Sequence, residues 1–285
     1  MDITEYTVEI GAQKPFFAYH MSDNHICLAD ERDGKRKTEL AADRENCFCG
    51  NREKSTSTAA GELFDFIKKE NALLIHTGDL IDFVSCSNLE YAKKLFDGAD
   101  CIACAGNHEF SLYVGEAWED EEYKAQSLDK VCESFPAGII FGVREVNGVQ
   151  FITLDNSYYY ILPELYEKTE AALANGKPSV LIVHTPLYSA ETYEKIMKGK
   201  PSDEPPYLCG CPETLLKNLN EHRFRQQCPD DITYRFIELC NGSKNLKAVL
   251  TGHIHRPLFS HLESGAVQIA ADGAYGGTVN RIRFI

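Results

Sequence analysis

No stretch of this sequence holds the ~18 consecutive apolar residues that a bilayer-spanning helix requires. The opening MDITEYTVEI carries acidic groups and lacks the apolar centre of a signal peptide. The chain therefore reads as soluble and cytoplasmic. Dense cysteine spacing is missing as well. The 11 cysteines are odd in number and scattered through apparent strands such as CIAC (101–104) and helices such as IELC (237–240), unlike a small secreted disulfide framework. Reduced thiols are expected. Basic residues are scarce: 29 Lys and Arg face 43 Asp and Glu, a formal net charge of -14. Such a field repels polyanions, and no basic tract interleaved with aromatics opposes it. Neither a nucleic-acid nor a membrane partner is expected, and most of the acidic residues read as a solvated surface. No internal repeat is present.

What is there is ordinary globular material: 44% hydrophobic and 25% charged residues over 285 positions, enough for a sizeable core. Short apolar runs recur at PFFAYHMSD (15–23), ALLIHTGD (72–79), CIACAGN (101–107), VQFITLDN (149–156), SVLIVHTP (179–186) and LKAVLTGH (246–253). Continuous rather than alternating hydrophobicity implies strands covered on both faces. Between them, 56–71, 88–98 and 163–176 carry helical spacing, the last with Pro163 at its start and Asn175-Gly176 as a stop. Alternating strand and helix argues an α/β fold, read as one domain over 1–285. Two stretches break the rhythm. Residues 26–55 are highly charged with no sustained period, and 188–245 is a long insert with candidate helices near 212–220 and 231–240. Both are expected to border a functional site. The end of the chain, AVQIAADGAYGGTVNRIRFI, reads as a hairpin.

Five of the nine histidines follow apolar runs, each beside Asp, Asn, Gly or another His: SDNH (22–25), GNHE (106–109), VHTP (183–186) and GHIH (252–255). Loops beyond the carboxyl ends of strands converge in α/β sheets, so distant residues can meet there. GDLID (78–82) adds a carboxylate, Asp79, on a tight turn, placed to bridge two cations. Oxygen and imidazole donors suit Mn, Fe or Zn, and the lack of cysteine in the motifs argues against a thiolate zinc site.

In their order, D-x-H, G-D-x-x-D, G-N-H-E, a lone His after an apolar strand, and G-H-x-H make the chain resemble the calcineurin-like metallophosphoesterases. The resemblance runs from Asp23 to His255. It implies a four-layer αββα sandwich with two mixed β-sheets flanked by helices and the metal site at the C-terminal ends of the strands. It also implies that one metal takes Asp23, His25, Asp79 and His255, and a second takes Asp79, Asn107, His184 and His253. A hydroxide bridging the pair would attack phosphorus, with the metals orienting and neutralising the phosphoryl group. His108 would protonate or stabilise the departing alkoxide, and Asp82 would orient His108. Asp82 has the alternative of a turn or cap, Glu109 reads equally as a helix-start carboxylate or a site contact, and Arg256 reads as a strand-edge surface arginine ahead of a phosphate contact. His20, His76, His222 and His261 match no motif and read as structural or exposed.

Protein serine/threonine phosphatases of the same superfamily continue the second motif into Arg-Gly, where this chain has Phe83-Val84. That departure favours a small-molecule phosphomono- or phosphodiester, with a protein serine/threonine phosphatase as the alternative. A non-catalytic interaction subunit on the same fold is the alternative of another class, although every family ligand and His108 are intact. Phe48, Tyr188, Tyr193 and Tyr207 in the inserts can stack on a nucleoside base or pack against the domain. Cys47-x-Cys49 and Cys209-x-Cys211 are spaced more tightly than zinc knuckles and read as unpaired thiols, and Cys101-x-x-Cys104 as core. Oligomeric state is left open.

Overall fold

The computed structural model describes residues 1–50 and 52–285. Two sheets stack face to face. The first has the order β1 (Asp2–Val8), β11 (Thr278–Phe284), β2 (Phe16–Met21), β3 (Leu73–His76), β4 (Cys101–Ala103); the second has β5 (Phe141–Val146), β6 (Val149–Leu154), β7 (Ser179–Ile182), β8 (Leu246–Thr251), β10 (Val267–Ala270), β9 (Leu258–His261). Both are mixed: β2, β3 and β4 run parallel, as do β6, β7 and β8, while β11–β2, β5–β6 and β10–β9 are antiparallel.

The continuous apolar runs serve two cores at once. Leu73 and Ile75 enter the core between the sheets, with Val180, Ile182, Ala248 and Leu250, whereas Leu74 faces an outer core and Leu181 and Val249 face another. Side chains alternate across a strand, so a strand buried on both faces has no polar phase.

Helices close the two outer faces. α2 (Thr56–Lys69), α3 (Cys86–Phe96) and α5 (Leu128–Ser134) pack Leu63, Phe64, Ile67, Ala92 and Val131 on the first sheet. α6 (Pro163–Leu173) and α10 (Asp231–Gly242) pack Leu165, Leu173, Phe236 and Ile237 on the second. The result is the four-layer sandwich. Helix starts follow local chemistry: Ser55 accepts from the Thr58 amide, Ser85 from Asn88 and Asp230 from Thr233. Pro163 occupies the first turn of α6.

Three regions differ from the sequence expectation. The chain does not end in a hairpin: β10 lies in the six-stranded sheet and β11 in the five-stranded one. Residues 271–277, with a 3-10 turn at Ala274–Gly276, cross between the sheets instead of reversing within one. β11 then pairs in parallel with β1 along its whole length, which gives strand structure to an N-terminal segment that is exposed except at Val8 and half-buried Tyr6. Within 26–55, charged Lys35–Cys49 forms a helix, α1, whose one buried residue is Ala41, so no apolar stripe announced it. In the long insert, α8 (Glu213–Leu216) and α10 lie where helices were expected, and α7 (Ala190–Met197) and α9 (Glu221–Gln227) are additional.

Candidate metal centre

Every motif lies just beyond the C-terminal end of a strand: SDNH after β2, GDLID after β3, GNHE after β4, His184 after β7 and GHIH after β8. The loops approach so closely that glycine is required. A Cβ on Gly106 would stand 2.2 Å from Asp79 Oδ1, and one on Gly252 would stand 1.8 Å from Ser22 Oγ. Asp23, His25, Asp79, His253 and His255 all have positive φ, between 46° and 69°, a region that costs an L-residue ~1–2 kcal/mol. Local hydrogen bonds hold this strain: the Asp23 amide donates to Gly78 O, the His25 amide to Asp79 O and the His253 amide to Asp23 Oδ2. Strain concentrated at one place marks it as a candidate functional site.

Two donor groups share Asp79. In the first, His25 Nε2 and His255 Nε2 are 2.9 Å apart, His255 Nε2 is 3.3 Å from Asp23 Oδ1, and His25 Nε2 is 3.7 Å from Asp79 Oδ2. In the second, His184 Nε2 lies 3.3 Å from Asp79 Oδ2 and 3.0 Å from His253 Nδ1. Two imidazole nitrogens each ~2.1 Å from one cation and at right angles to each other would be about 3 Å apart, so both close nitrogen pairs fit a shared ion.

The far side of three of the four rings is already committed. His184 Nδ1 donates to Thr77 O at 2.7 Å, His25 Nδ1 to Asp82 Oδ1 at 2.9 Å, and His253 Nε2 meets the Tyr159 hydroxyl at 2.6 Å. Such partners set the tautomer that presents the other nitrogen to a metal. The Asn107 Oδ1 atom is buried with no hydrogen-bond partner among the described residues, while its Nδ2 donates to Glu119 Oε1 at 3.4 Å. A buried carbonyl without a donor is costly, and a cation would satisfy it. The residues therefore fit a pair of metal ions.

Burial and the His184 charge push the His253 ring down to about 3, leaving a neutral nitrogen. At His184 burial acts in the same sense, but the Asp79 carboxylate outweighs it and raises the ring to about 9. Burial raises Asp79 itself, and the surrounding imidazoles overcome this and hold its carboxyl below the usual range.

A family model described as calcineurin-like phosphoesterase matches residues 18–257. The chain belongs to that family. As a calcineurin-like phosphoesterase it is an enzyme of the metallophosphoesterase class, and the two donor groups are candidates for the dinuclear centre of the family. No curated protein sequence matches it. Among solved structures it is similar to a dimetal phosphatase from Danio rerio (12% identity, 91% of this chain and 88% of that one, TM-score 0.49). It is also similar to a putative 5'-nucleotidase from Staphylococcus aureus (14% identity, 92% and 49%, TM-score 0.46), of which it spans about half the length. A phosphopantetheinyl hydrolase from Mycobacterium tuberculosis gives 13% identity over 90% of both chains, with a TM-score of 0.42.

Beside its donor groups this phosphoesterase places His108, 16% exposed at the side chain, with Nδ1 2.8 Å from Asp82 O and 3.1 Å from Asp82 Oδ1. Burial lowers the His108 ring, but the Asp79 and Asp82 carboxylates outweigh it and raise it to about 10. Asp82 is fully buried and also accepts from Arg44, Nε at 2.6 Å and Nη2 at 2.9 Å. Arg44 lies on α1, and one turn further Phe48 stacks on His25 with ring centres 4.3 Å apart. Neither contact was legible in the charged, aperiodic segment.

Glu109 is a support for the loops. Its buried carboxylate accepts from the amides of Asp79, Leu80, Ile81 and Gly106, tying two motif turns together. Burial and the Asp79 charge raise its carboxyl above the ordinary range, against those amides. Phe83 is fully buried against Cys27 and Ala41 beneath α1. His20 pairs with Thr77, His76 with Asn24, and His261 with Glu191. All 11 cysteines are free, and no metal-like group among the described residues contains one.

A cleft of about 540 Å³ opens beside the centre, with Asp79, Asn107, His108, His253 and His255 on one wall and Ile196, Tyr207 and Arg223 of the long insert on another. Arg256 lines it too and donates Nη2 to Ile196 O at 2.7 Å. His222, an edge-on neighbour of Trp118, also reaches this cleft. Among the described residues no helix is long and apolar enough to cross a membrane.

Proposed function

We propose that the chain hydrolyses a small-molecule phosphomono- or phosphodiester with two metal ions, of Mn, Fe or Zn. Asp23, His25, Asp79 and His255 would hold one, and Asp79, Asn107, His184 and His253 the other. When bound, such a pair supplies an activated water and neutralises charge on the phosphoryl group. His108, held by Asp82 with Nδ1 3.1 Å from its carboxylate, gives a proton to the leaving oxygen. Asp82 accepts from His25 and His108 together, so one carboxylate fixes a ligand ring relative to the acid.

The observation that carries this reading is the orphaned Asn107 Oδ1 beside two imidazole pairs converging across one carboxylate. The choice of a small substrate is supported by a cleft volume of about 540 Å³, inside the ~300–1,000 Å³ of small-ligand sites. The protein-phosphatase alternative is disfavoured because Phe83 is sealed in the core. The interaction-subunit alternative is disfavoured by the intact acid and ligand set.

Purified protein reconstituted with Mn and assayed on 4-nitrophenyl phosphate and bis(4-nitrophenyl) phosphate tests the reading. Turnover should depend on metal. Asp79→Asn should lose metal and activity together, whereas His108→Ala should keep its metals and lose turnover by about 10²–10⁴-fold on alkyl phosphates. Full metal content with full hydrolysis in Asp79→Asn would remove the bridging role.

A further inference from the structure

In a chain of net charge -14, the walls of the cleft gather cations. Lys200, Arg223 and Arg256 line it, and outside the candidate ligands Glu119 is the carboxylate that joins them among the described residues. The two arginines are underused. Arg223 donates Nη1 to Gln226 Oε1 at 2.7 Å and Arg256 donates to a backbone carbonyl, whereas Arg32, Arg36, Arg44 and Arg144 each meet a carboxylate. Lys200 holds Glu204 only at 3.4 Å. Most of the N–H donors on Arg223 and Arg256 thus have no protein acceptor among the described residues, and guanidinium donors are suited to carboxylate and phosphate oxygens.

Their positions differ in a way that matters. Arg256 directly follows His255 in the chain and lines the cleft. Arg223 is one aromatic ring further out: its guanidinium carbon is 5.6 Å from the Tyr207 ring centre, and that ring is 5.8 Å from the His253 ring. A substrate whose one anionic group is at the metals leaves Arg223, across the Tyr207 ring from His253, without an anion. Arg223 is carried by α9, which is held over the cleft where Gln226 Nε2 donates to Glu119 Oε2 at 3.1 Å, and the Asn107 amide contacts the other oxygen of Glu119. The far arginine is therefore placed by the same network that orients a candidate metal donor.

We infer that the cleft takes a phosphoester whose alcohol portion carries a second anionic group, with Arg223 as the receptor for that group. This rests on the hydrolytic reading above and adds the substrate class to it. Net negative charge on the protein surface opposes approach of such a multiply charged anion, and the local cationic wall offsets that at the mouth of the site.

The test compares butyl phosphate with 4-phosphooxybutanoate and butane-1,4-diyl bisphosphate, three esters with similar leaving groups, on the metal-loaded protein. The doubly functional esters should show about tenfold higher kcat/KM, through KM, as expected for one charge-assisted contact. Arg223→Gln should abolish that preference, and Arg235→Gln, a stacked arginine on α10 outside the cleft, should keep it. A preference for the bisphosphate but not the carboxylate identifies phosphate as the second group, and the converse identifies carboxylate. Calorimetric binding of butylphosphonate and 4-phosphonobutanoate repeats the comparison without turnover. Hydrolysis of all three esters at equal kcat/KM would overturn the inference and leave the hydrolytic reading standing. Absence of hydrolysis with tighter, Arg223-dependent binding of the phosphonobutanoate would overturn that reading and leave the anion site.

Discussion

Asp82 shows how much chemistry one buried side chain can organise. Four donors reach its carboxylate: two from Arg44, one from His25 and one from His108. Arg44 is the only permanently charged group among them, and it holds Asp82 well below the carboxylate range against the cost of burial. Arg44→Ala should therefore lower kcat by about 10- to 100-fold, the usual effect of removing an outer partner of a metal site. The loss should be larger for alkyl phosphates than for 4-nitrophenyl phosphate, because the poorer leaving group depends more on His108. Lysine at this position should restore little, having no planar fork. Equal kcat for wild type and Arg44→Ala on both substrates would show that Asp82 needs no such support. The motif residues were legible because each sits in a short, ordered signature. Arg44 was not: nothing in RKTELAADREN separates the one arginine that turns inward from its solvated neighbours.

At the level of elements, strands buried on both faces were read correctly from continuous hydrophobicity, and helices from caps and spacing. The readings failed where a tertiary contact overrides local pattern. β10 and β11 look like partners because seven polar and small residues part them, yet those residues span the gap between sheets. The segment from His108 to Ser134 is fastened by another contact without a sequence signature. Lys124 on α4 (Glu121–Ala125) is 5% exposed and donates to Asp155, beyond β6, at 2.8 Å, with Glu121 at 3.0 Å. Burial lowers the Lys124 ammonium, but Asp155 and Glu121 outweigh it and raise its pKa above the ordinary value. The stabilisation is thus complete below the unfolded value of ~10.4 and is lost as pH rises through the higher folded value. Against a Lys124→Met, Asp155→Leu double variant, the stability advantage of wild type measured by urea unfolding should be constant to about pH 10 and shrink above it. An advantage that does not change between pH 9 and 12 would remove the ion pair from the account.

The whole molecule divides its candidate ligands between two halves. Asp23, His25, Asp79 and Asn107 follow strands of the five-stranded sheet, and His184, His253 and His255 follow strands of the six-stranded one. An apolar core joins the sheets along their length, but at the ligand end the facing groups are polar, buried or half-buried, and at five of the seven ligands strained in φ. Metal ions at that end would bind the native state alone, since the unfolded chain scatters the donors over more than 230 residues. Each ion at 100 times its dissociation constant adds about 2.7 kcal/mol, and a chain of this size shifts by about 2–4 °C per kcal/mol. Loading with Mn should raise the melting temperature by on the order of 10 °C, chelation should reverse the gain, and Asp79→Asn, which touches both donor groups, should lose most of it. His255→Ala should lose about half, because it removes a donor from one group only. A melting temperature indifferent to metal and chelator in the wild-type chain would mean that the seven residues, however closely they gather, do not join the two sheets through bound ions.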